Sequence, residues 1–248
     1  VEARFLSEPD EKFYGLGHNQ HGFLNQKGNV IELRQMNTHT VVPVMYSSRG
    51  YGFFWNNPAY GRVELANNGT YWIGEQSDQL DYFVIGGGEP ARVATNYAHI
   101  TGFPNMMPDF AMGFWQCKLR YRTQDELLAV AREHKRRGLP MDVIVVDFFH
   151  WAIMGAWDFD PKCWPDPEGM IRELEELGIE TMVSIWPTVN GNAPLFQEML
   201  ERGYLIRAEN NHPVFMRFTD TYADSTYLHF VDFTNPDARA FVWEQAKK

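Results

Sequence analysis

The sequence predicts two consecutive domains: an all-β domain forming an antiparallel β-sandwich, then an α/β domain forming an incomplete (β/α)8 TIM barrel. Short apolar segments separated by turn residues fill the chain up to about residue 105. From residue 106 onward, buried-strand patterns alternate instead with amphipathic helical patterns. A complete barrel of this kind needs about 250 residues, so the second part is too short for one.

The predicted sandwich strands are short, and turns rich in Gly, Asn and Ser separate them. Turns at this spacing are typical of antiparallel sheets. A helical pattern first appears at residues 91–99, and the Pro-rich segment 104–108 marks the domain boundary. We therefore assign residues 1–105 to the sandwich and residues 106–248 to the barrel. The predicted strands are residues 30–34, 40–46, 51–55, 71–73 and 79–84.

Strand and helix patterns alternate after the boundary and predict three βα units. Thr123 and Glu126 form a capping box that starts one helix, and Asp166 followed by Pro167 starts another. Because right-handed crossovers place parallel strands side by side, the units should share one sheet. The predicted strands are residues 111–117, 143–146 and 181–186, and the predicted helices are 123–138, 166–178, 193–202 and one beginning at 235.

The second predicted barrel strand ends at a candidate binding residue. Residues 143–146 show no polar alternation, so both faces of this strand should be covered. Asp147 follows the strand, and Phe148, Phe149 and Trp151 come next. Ligands bind at the C-terminal ends of barrel strands. Aromatic residues make up 15% of the chain, and their flat apolar faces suit sugar rings.

The composition argues against several other functions. A net charge of −10 argues against sequence-independent nucleic-acid binding. No apolar run approaches the length of a membrane span, and the first residues lack the pattern of a secretion signal. Cys117 and Cys163 form neither a disulfide framework nor a metal spacing, so the compartment stays open, with the cytoplasm favoured.

No metal and no cofactor are expected. Asp158 and Asp160 lie close to His150, but their spacing fits no standard ligand pattern, and Asp160 begins a turn before a proline. The Gly15-Leu16-Gly17 segment lacks the third glycine of a dinucleotide-binding loop and has no βαβ unit around it.

Seven segments, in family order, resemble the family 31 glycoside hydrolases, particularly the α-xylosidase-like and α-glucosidase-like bacterial members. They are FYGLG (13–17), SSRGYGFFWNN (47–57), GFWQCKLRYRTQDE (113–126), VVDFFHW (145–151), WDFDPKCWPDPEGM (157–170), SIWPTVN (184–190) and VDFTNPDAR (231–239). The resemblance implies a β-sandwich packed on a (β/α)8 barrel. It also implies exo-hydrolysis of α-linked sugars with retention, by two carboxyl groups about 5 Å apart.

The resemblance also implies where the catalytic carboxylates lie. In the family, the nucleophile ends the strand reached after the helix that the FTNP motif starts, and the acid follows later. Here FTNP spans residues 233–236 and the chain stops at Lys248. Both catalytic carboxylates are therefore expected beyond Lys248, and the 248-residue chain alone is expected to be inactive.

The resemblance assigns sugar-binding roles to five residues. Asp147 matches the family aspartate that binds sugar hydroxyls; its alternative is a carboxylate tied to a backbone amide or an arginine. Phe149 and Trp151 are expected to wall the pocket, or else to pack within the loop. Trp186 resembles the xylosidase-like branch, where an indole would crowd out a hydroxymethyl group; otherwise it closes the barrel rim. His18 is expected to touch sugar, or else to serve a turn.

Lys118 and Arg120 are expected to brace Asp147 or to reach substrate oxygens. The expected partner is an oligosaccharide, with neither nucleic acid nor membrane. A second copy of the chain, or the rest of the barrel, is expected to cover the open sheet. The alternative function is a non-catalytic carbohydrate-binding or structural remnant of such an enzyme.

Overall fold

The computed structural model describes residues 1–220 and 225–247. These residues form two compact units, Val1–Asn105 and a second unit that begins at Met106. Among the described residues, no helix combines the length and apolar character needed to cross a membrane.

The first unit contains two antiparallel sheets of four strands each, in the orders β1-β7-β6-β3 and β2-β4-β5-β8. One hydrophobic core draws on strands of both sheets, and the rings of Phe53 and Trp72 lie 4.5 Å apart within it. The strands are β1 (Glu2–Leu6), β2 (Phe13–Gly15), β3 (Val30–Leu33), β4 (Val44–Ser47), β5 (Tyr51–Trp55), β6 (Gly61–Leu65), β7 (Gly69–Gly74) and β8 (Tyr82–Gly86).

Helix α1 (Pro90–Thr101) ends the first unit and packs on β5 and β8. Its buried residue, Val93, lies against Gly52 of β5. A Cβ atom at Gly52 would lie 2.5 Å from Val93 Cγ1, so only glycine allows the helix to approach this closely.

The second unit is built on a parallel sheet in the order β11-β10-β9. Its strands are β9 (Trp115–Gln116), β10 (Val143–Val146) and β11 (Glu180–Val183), and helices α2 (Gln124–Arg136) and α3 (Pro167–Glu176) connect them. Leu127, Ile144 and Leu174 bring both helices and the central strand into one core. Arg132 of α2 makes a bidentate ion pair with Glu173 of α3, at 2.6 and 2.7 Å.

The structure confirms both predicted helix starts. Thr123 Oγ1 accepts a hydrogen bond from the Glu126 backbone N–H at 3.2 Å. Asp166 Oδ1 accepts one from the Gly169 N–H at 2.9 Å, and Pro167 occupies the first helical position. Each helix therefore begins where a side-chain oxygen satisfies a backbone donor that the helix itself leaves free.

The predicted first barrel strand, residues 111–117, is wrong in extent and burial. Asp109–Met112 forms a 3-10 turn, only Trp115–Gln116 pairs with β10, and Trp115 is 41% exposed. The Asp142 carboxylate accepts the Phe114 N–H at 2.8 Å, while the Phe114 carbonyl accepts the Asp142 and Val143 N–H groups at 2.9 and 3.2 Å. A side-chain oxygen thus takes the place of one backbone acceptor just before β9. The third strand and the helix predicted at 193–202 are also shorter, at Glu180–Val183 and Phe196–Glu201 (α4).

A third antiparallel sheet, which the sequence did not predict, lies within the second unit. Its order is β12-β14-β13, from β12 (Thr188–Asn190), β13 (Phe215–Thr219) and β14 (Ser225–Phe230). Helix α5 (Pro236–Ala246) follows, at the predicted Asn235-Pro236 start. This sheet packs against the residues that follow β10, because Leu228 of β14 shares a core with Phe149, Trp151 and Met154.

Candidate functional site

Asp147 lies directly after the central strand of the parallel sheet and is half-buried. Its Oδ1 accepts the Phe148 N–H at 2.7 Å, and the Cys117 thiol donates to its Oδ2 at 3.5 Å. A carboxylate offers about four acceptor sites, so these two bonds leave acceptor capacity unused. Asp147 is thus tied to a backbone amide, as the alternative interpretation predicted, and its carboxylate can still accept further hydrogen bonds.

Cys117, directly after β9, is the residue whose thiol donates to Asp147. Burial raises the pKa of this thiol, and the adjacent Asp147 carboxylate raises it further. A thiol with a raised pKa keeps its proton and acts as a hydrogen-bond donor. Cys117 and Cys163 are both free cysteines.

The two residues after Asp147 form an aromatic pair. The rings of Phe148 and Phe149 lie 4.3 Å apart, and Phe149 is only 6% exposed. Phe149 has a φ of 72°, which is unusual for a bulky residue and marks a strained turn directly after the strand. The Arg120 guanidinium lies 4.9 Å from the centre of the Phe149 ring. Arg120 thus contacts the aromatic pair, while Lys118 forms an ion pair with Glu126.

Trp186 packs against this aromatic pair. Its half-buried indole stacks on Phe148, with ring centres 5.2 Å apart and an angle of 26° between the planes. Phe218 of β13 packs on it at 5.2 Å. The Trp157 indole N–H donates to the Trp186 carbonyl at 3.1 Å. The structure therefore brings Phe149 and Trp186, two of the predicted site residues, into one aromatic cluster, and Asp147 lies next to Phe148 of that cluster in the chain.

Trp151 is more deeply buried than a pocket wall requires. It is 2% exposed and packs with Phe149 and Met154. Its indole N–H has no hydrogen-bond partner within the described part of the chain. This burial favours the loop-packing interpretation, and contact of Trp151 with sugar stays a prediction.

His150, also in this loop, is not among the site residues predicted from the sequence. It is 2% exposed, and its Nδ1 lies 3.1 Å from the Asp147 carbonyl oxygen. Burial lowers the pKa of the imidazole, although Asp158 and Asp147 oppose this effect. A neutral imidazole with Nδ1 protonated would donate to that carbonyl and hold the backbone of Asp147 in place. Its position three residues after the aspartate was the only sequence clue.

His18 belongs to the first unit, where its backbone pairs with Thr40. Its N–H donates to the Thr40 carbonyl at 2.8 Å, and its side chain is exposed. Contact between His18 and sugar therefore stays a prediction. Across residues 1–220 and 225–247, no three His, Cys, Asp or Glu side chains are grouped so that they could hold a metal ion.

Residues 104–248 match the family model described as the glycosyl hydrolases family 31 TIM-barrel domain. An uncharacterized family 31 glucosidase of Pseudescherichia vulneris is 45% identical, over 100% of this chain and 46% of that protein. Alpha-xylosidase A of Aspergillus niger is 34% identical, over 100% of this chain and 33% of that protein.

The chain is also similar to solved structures of xylosidases. The crystal structure of a GH31 alpha-xylosidase from a soil metagenome, complexed with xylose, has a TM-score of 0.93 and 54% identity, over 99% of this chain and 36% of that one. A xylosidase from Aspergillus niger has a TM-score of 0.91 and 33% identity, over 99% of this chain and 34% of that one. The chain thus spans less than half the length of each of these relatives.

Proposed function

The chain belongs to glycosyl hydrolase family 31, and on that premise we propose that the whole protein is a retaining exo-α-glycosidase. It releases terminal α-linked xylose, or else glucose, from oligosaccharides. The observation that carries this proposal is the position of Asp147, a carboxylate with unused acceptor capacity beside stacked aromatic rings at a strand end. Such a carboxylate would accept hydrogen bonds from two neighbouring sugar hydroxyls.

Xylose is the preferred sugar in this proposal. Xylose lacks the hydroxymethyl group of glucose, and the Phe148–Trp186 stack presents bulk beside the proposed site. The structural relative at 54% identity is named an alpha-xylosidase and holds xylose, which supports the same preference. An indole that blocks the hydroxymethyl group would discriminate by about 1–3 kcal/mol, the range of one-carbon differences in a binding pocket.

The residues of this chain bind and orient the sugar in this proposal. The nucleophile and the acid/base lie outside the 248 residues, after the helix that begins at Pro236. The two four-stranded sheets of the first unit correspond to the β-sandwich, and the parallel sheet of the second unit corresponds to the first three βα units of the barrel. The 248-residue chain alone would then bind without turnover.

A non-catalytic carbohydrate-binding or structural remnant is the second candidate. In this candidate the residues around Asp147 bind sugar but take part in no hydrolysis. Activity of the whole protein separates the two candidates.

The test is p-nitrophenol release by the whole protein from the α-xyloside and the α-glucoside. We expect release from both, with the higher kcat/KM for the xyloside. Trp186→Ala should raise the glucoside-to-xyloside ratio of kcat/KM by about tenfold or more, because space opens for the hydroxymethyl group. Trp243→Ala is the control, since that indole is 64% exposed on α5. If the whole protein released p-nitrophenol from neither substrate, the glycosidase proposal would fail and the non-catalytic candidate would be retained.

A further inference from the structure

Asp220, at the end of β13, is a buried carboxylate that the proposed function leaves without a role. It is only 5% exposed. Both of its oxygens lie 3.1 Å from the Met154 backbone nitrogen, which donates to them, and the Asn190 side-chain amide donates to Oδ2 at 2.5 Å. These donors are neutral, and a buried charge held in this way is costly unless its geometry is well satisfied.

Met154 is held from both sides of its backbone. Its N–H donates to Asp220, and its carbonyl accepts the Asn190 N–H at 3.0 Å. Gly155 follows at a φ of 92°, where a Cβ atom would lie 2.7 Å from Val189 Cγ1. The loop after β10 is therefore pinned to β12 at Met154 and packed tightly against it at Gly155.

The two segments joined at this point carry the aromatic cluster of the candidate site. The loop after β10 carries Phe148 and Phe149, and Trp186 lies two residues before the start of β12. Phe148 stacks on Trp186 across the same junction. Movement of the loop relative to β12 would therefore separate these two rings.

We propose that Asp220 is a positioning residue that sets the aromatic wall of the sugar site by clamping Met154 to Asn190. This proposal rests on the proposed function for the role of that wall. An ionised carboxylate only accepts, so it can satisfy a backbone N–H and an amide N–H together. An amide at position 220 offers one acceptor oxygen, and its NH2 group would oppose one of the two donors.

The pairing can be tested by exchanging the two side chains in the whole protein. Asp220→Asn sets two amide NH2 groups against each other, and Asn190→Asp sets two carboxylates against each other. In the double variant, the amide at 220 accepts from Met154 and donates to the carboxylate at 190. That carboxylate can still accept the Asn192 N–H, which Asn190 Oδ1 now accepts at 2.9 Å.

We expect each single variant to raise KM for the aryl α-xyloside about fivefold or more, with a smaller fall in kcat, because the wall that contacts sugar shifts. Each should also change the near-UV circular dichroism of the tryptophans without sugar, and the double variant should restore both signals. The clamp would be overturned if the KM of the double variant were as high as that of the more impaired single variant and its circular dichroism were not restored. Asp142→Asn is the matched control, since that carboxylate accepts a backbone N–H before β10.

The two proposals can fail separately. If the wild-type protein hydrolyses neither substrate but the exchange restores the circular dichroism, the clamp stands and the proposed function fails. If the wild-type protein is active and the exchange restores nothing, the clamp fails. Asn190→Ser is the milder second variant should Asp220→Asn not fold. This variant removes the hydrogen bond from the Asn190 side-chain amide to Asp220 and keeps the hydrogen bond from the Met154 N–H to Asp220. An unchanged KM in Asn190→Ser would also refute the clamp.

Discussion

At the scale of single residues, Asp147 holds the acceptor capacity on which the proposed function depends. Asp147→Asn keeps an oxygen for the Phe148 N–H but removes the charge and half of the acceptors. Hydrogen bonds to charged groups contribute about 1.5–3 kcal/mol each, so kcat/KM for the α-xyloside should fall about tenfold or more. Steady-state kinetics of the whole protein measures this fall, and an unaltered melting temperature shows that the fold is intact. If Asp147→Asn kept the wild-type kcat/KM, Asp147 would have no role in binding the sugar.

The residues of the candidate site differ in how far the sequence predicts them. Asp147 could be predicted because an apolar strand ends at it, and strand ends carry binding residues in barrels. Asp220 could not, because its partner Met154 lies 66 positions away, and a lone aspartate between polar neighbours leaves no local signal. The left-handed backbone of Phe149 was equally hidden, because bulky residues rarely adopt it.

At the scale of elements, α3 depends on its first residues. Asp166→Ala removes the acceptor of the Gly169 N–H, a change that costs about 0.5–2 kcal/mol at helix starts. Hydrogen exchange of the α3 amides should therefore speed up by about 2- to 30-fold where local opening governs exchange. Asp166→Asn retains a capping oxygen and should exchange at nearly the wild-type rate. Equal exchange in the alanine variant would show that packing alone holds this helix start.

Elements with a local cause were predictable, and those with a distant cause were not. Capping side chains lie within a few residues of the helices they start, so both helix starts were found. β12 has only three residues, too few to show a period, and it pairs with β14 about 40 positions further along the chain. β9 begins late because the 3-10 turn Asp109–Met112 precedes it, and the Phe114 N–H between them is accepted by the Asp142 carboxylate, which lies beyond the next helix.

At the scale of the whole molecule, the parallel sheet has two open edges. Among the described residues, no further strand pairs with the outer edges of β9 and β11, and Trp115 and Met182 are 41% and 47% exposed. Unpaired edges with apolar side chains favour association. The isolated 248-residue chain should therefore form oligomers, as size-exclusion chromatography with light scattering would show. A monodisperse monomer with a sharp thermal transition would contradict this expectation.

Phe149 ties the stability of the chain to the shape of its aromatic cluster. Its φ of 72° is a conformation that costs a bulky residue about 1–3 kcal/mol. Asparagine and glycine adopt it more readily, but neither supplies a ring beside Asp147. The Phe149 ring is 6% exposed in a hydrophobic core, and losing a buried phenylalanine ring costs about 3–5 kcal/mol, so core packing offsets the backbone strain at the same position.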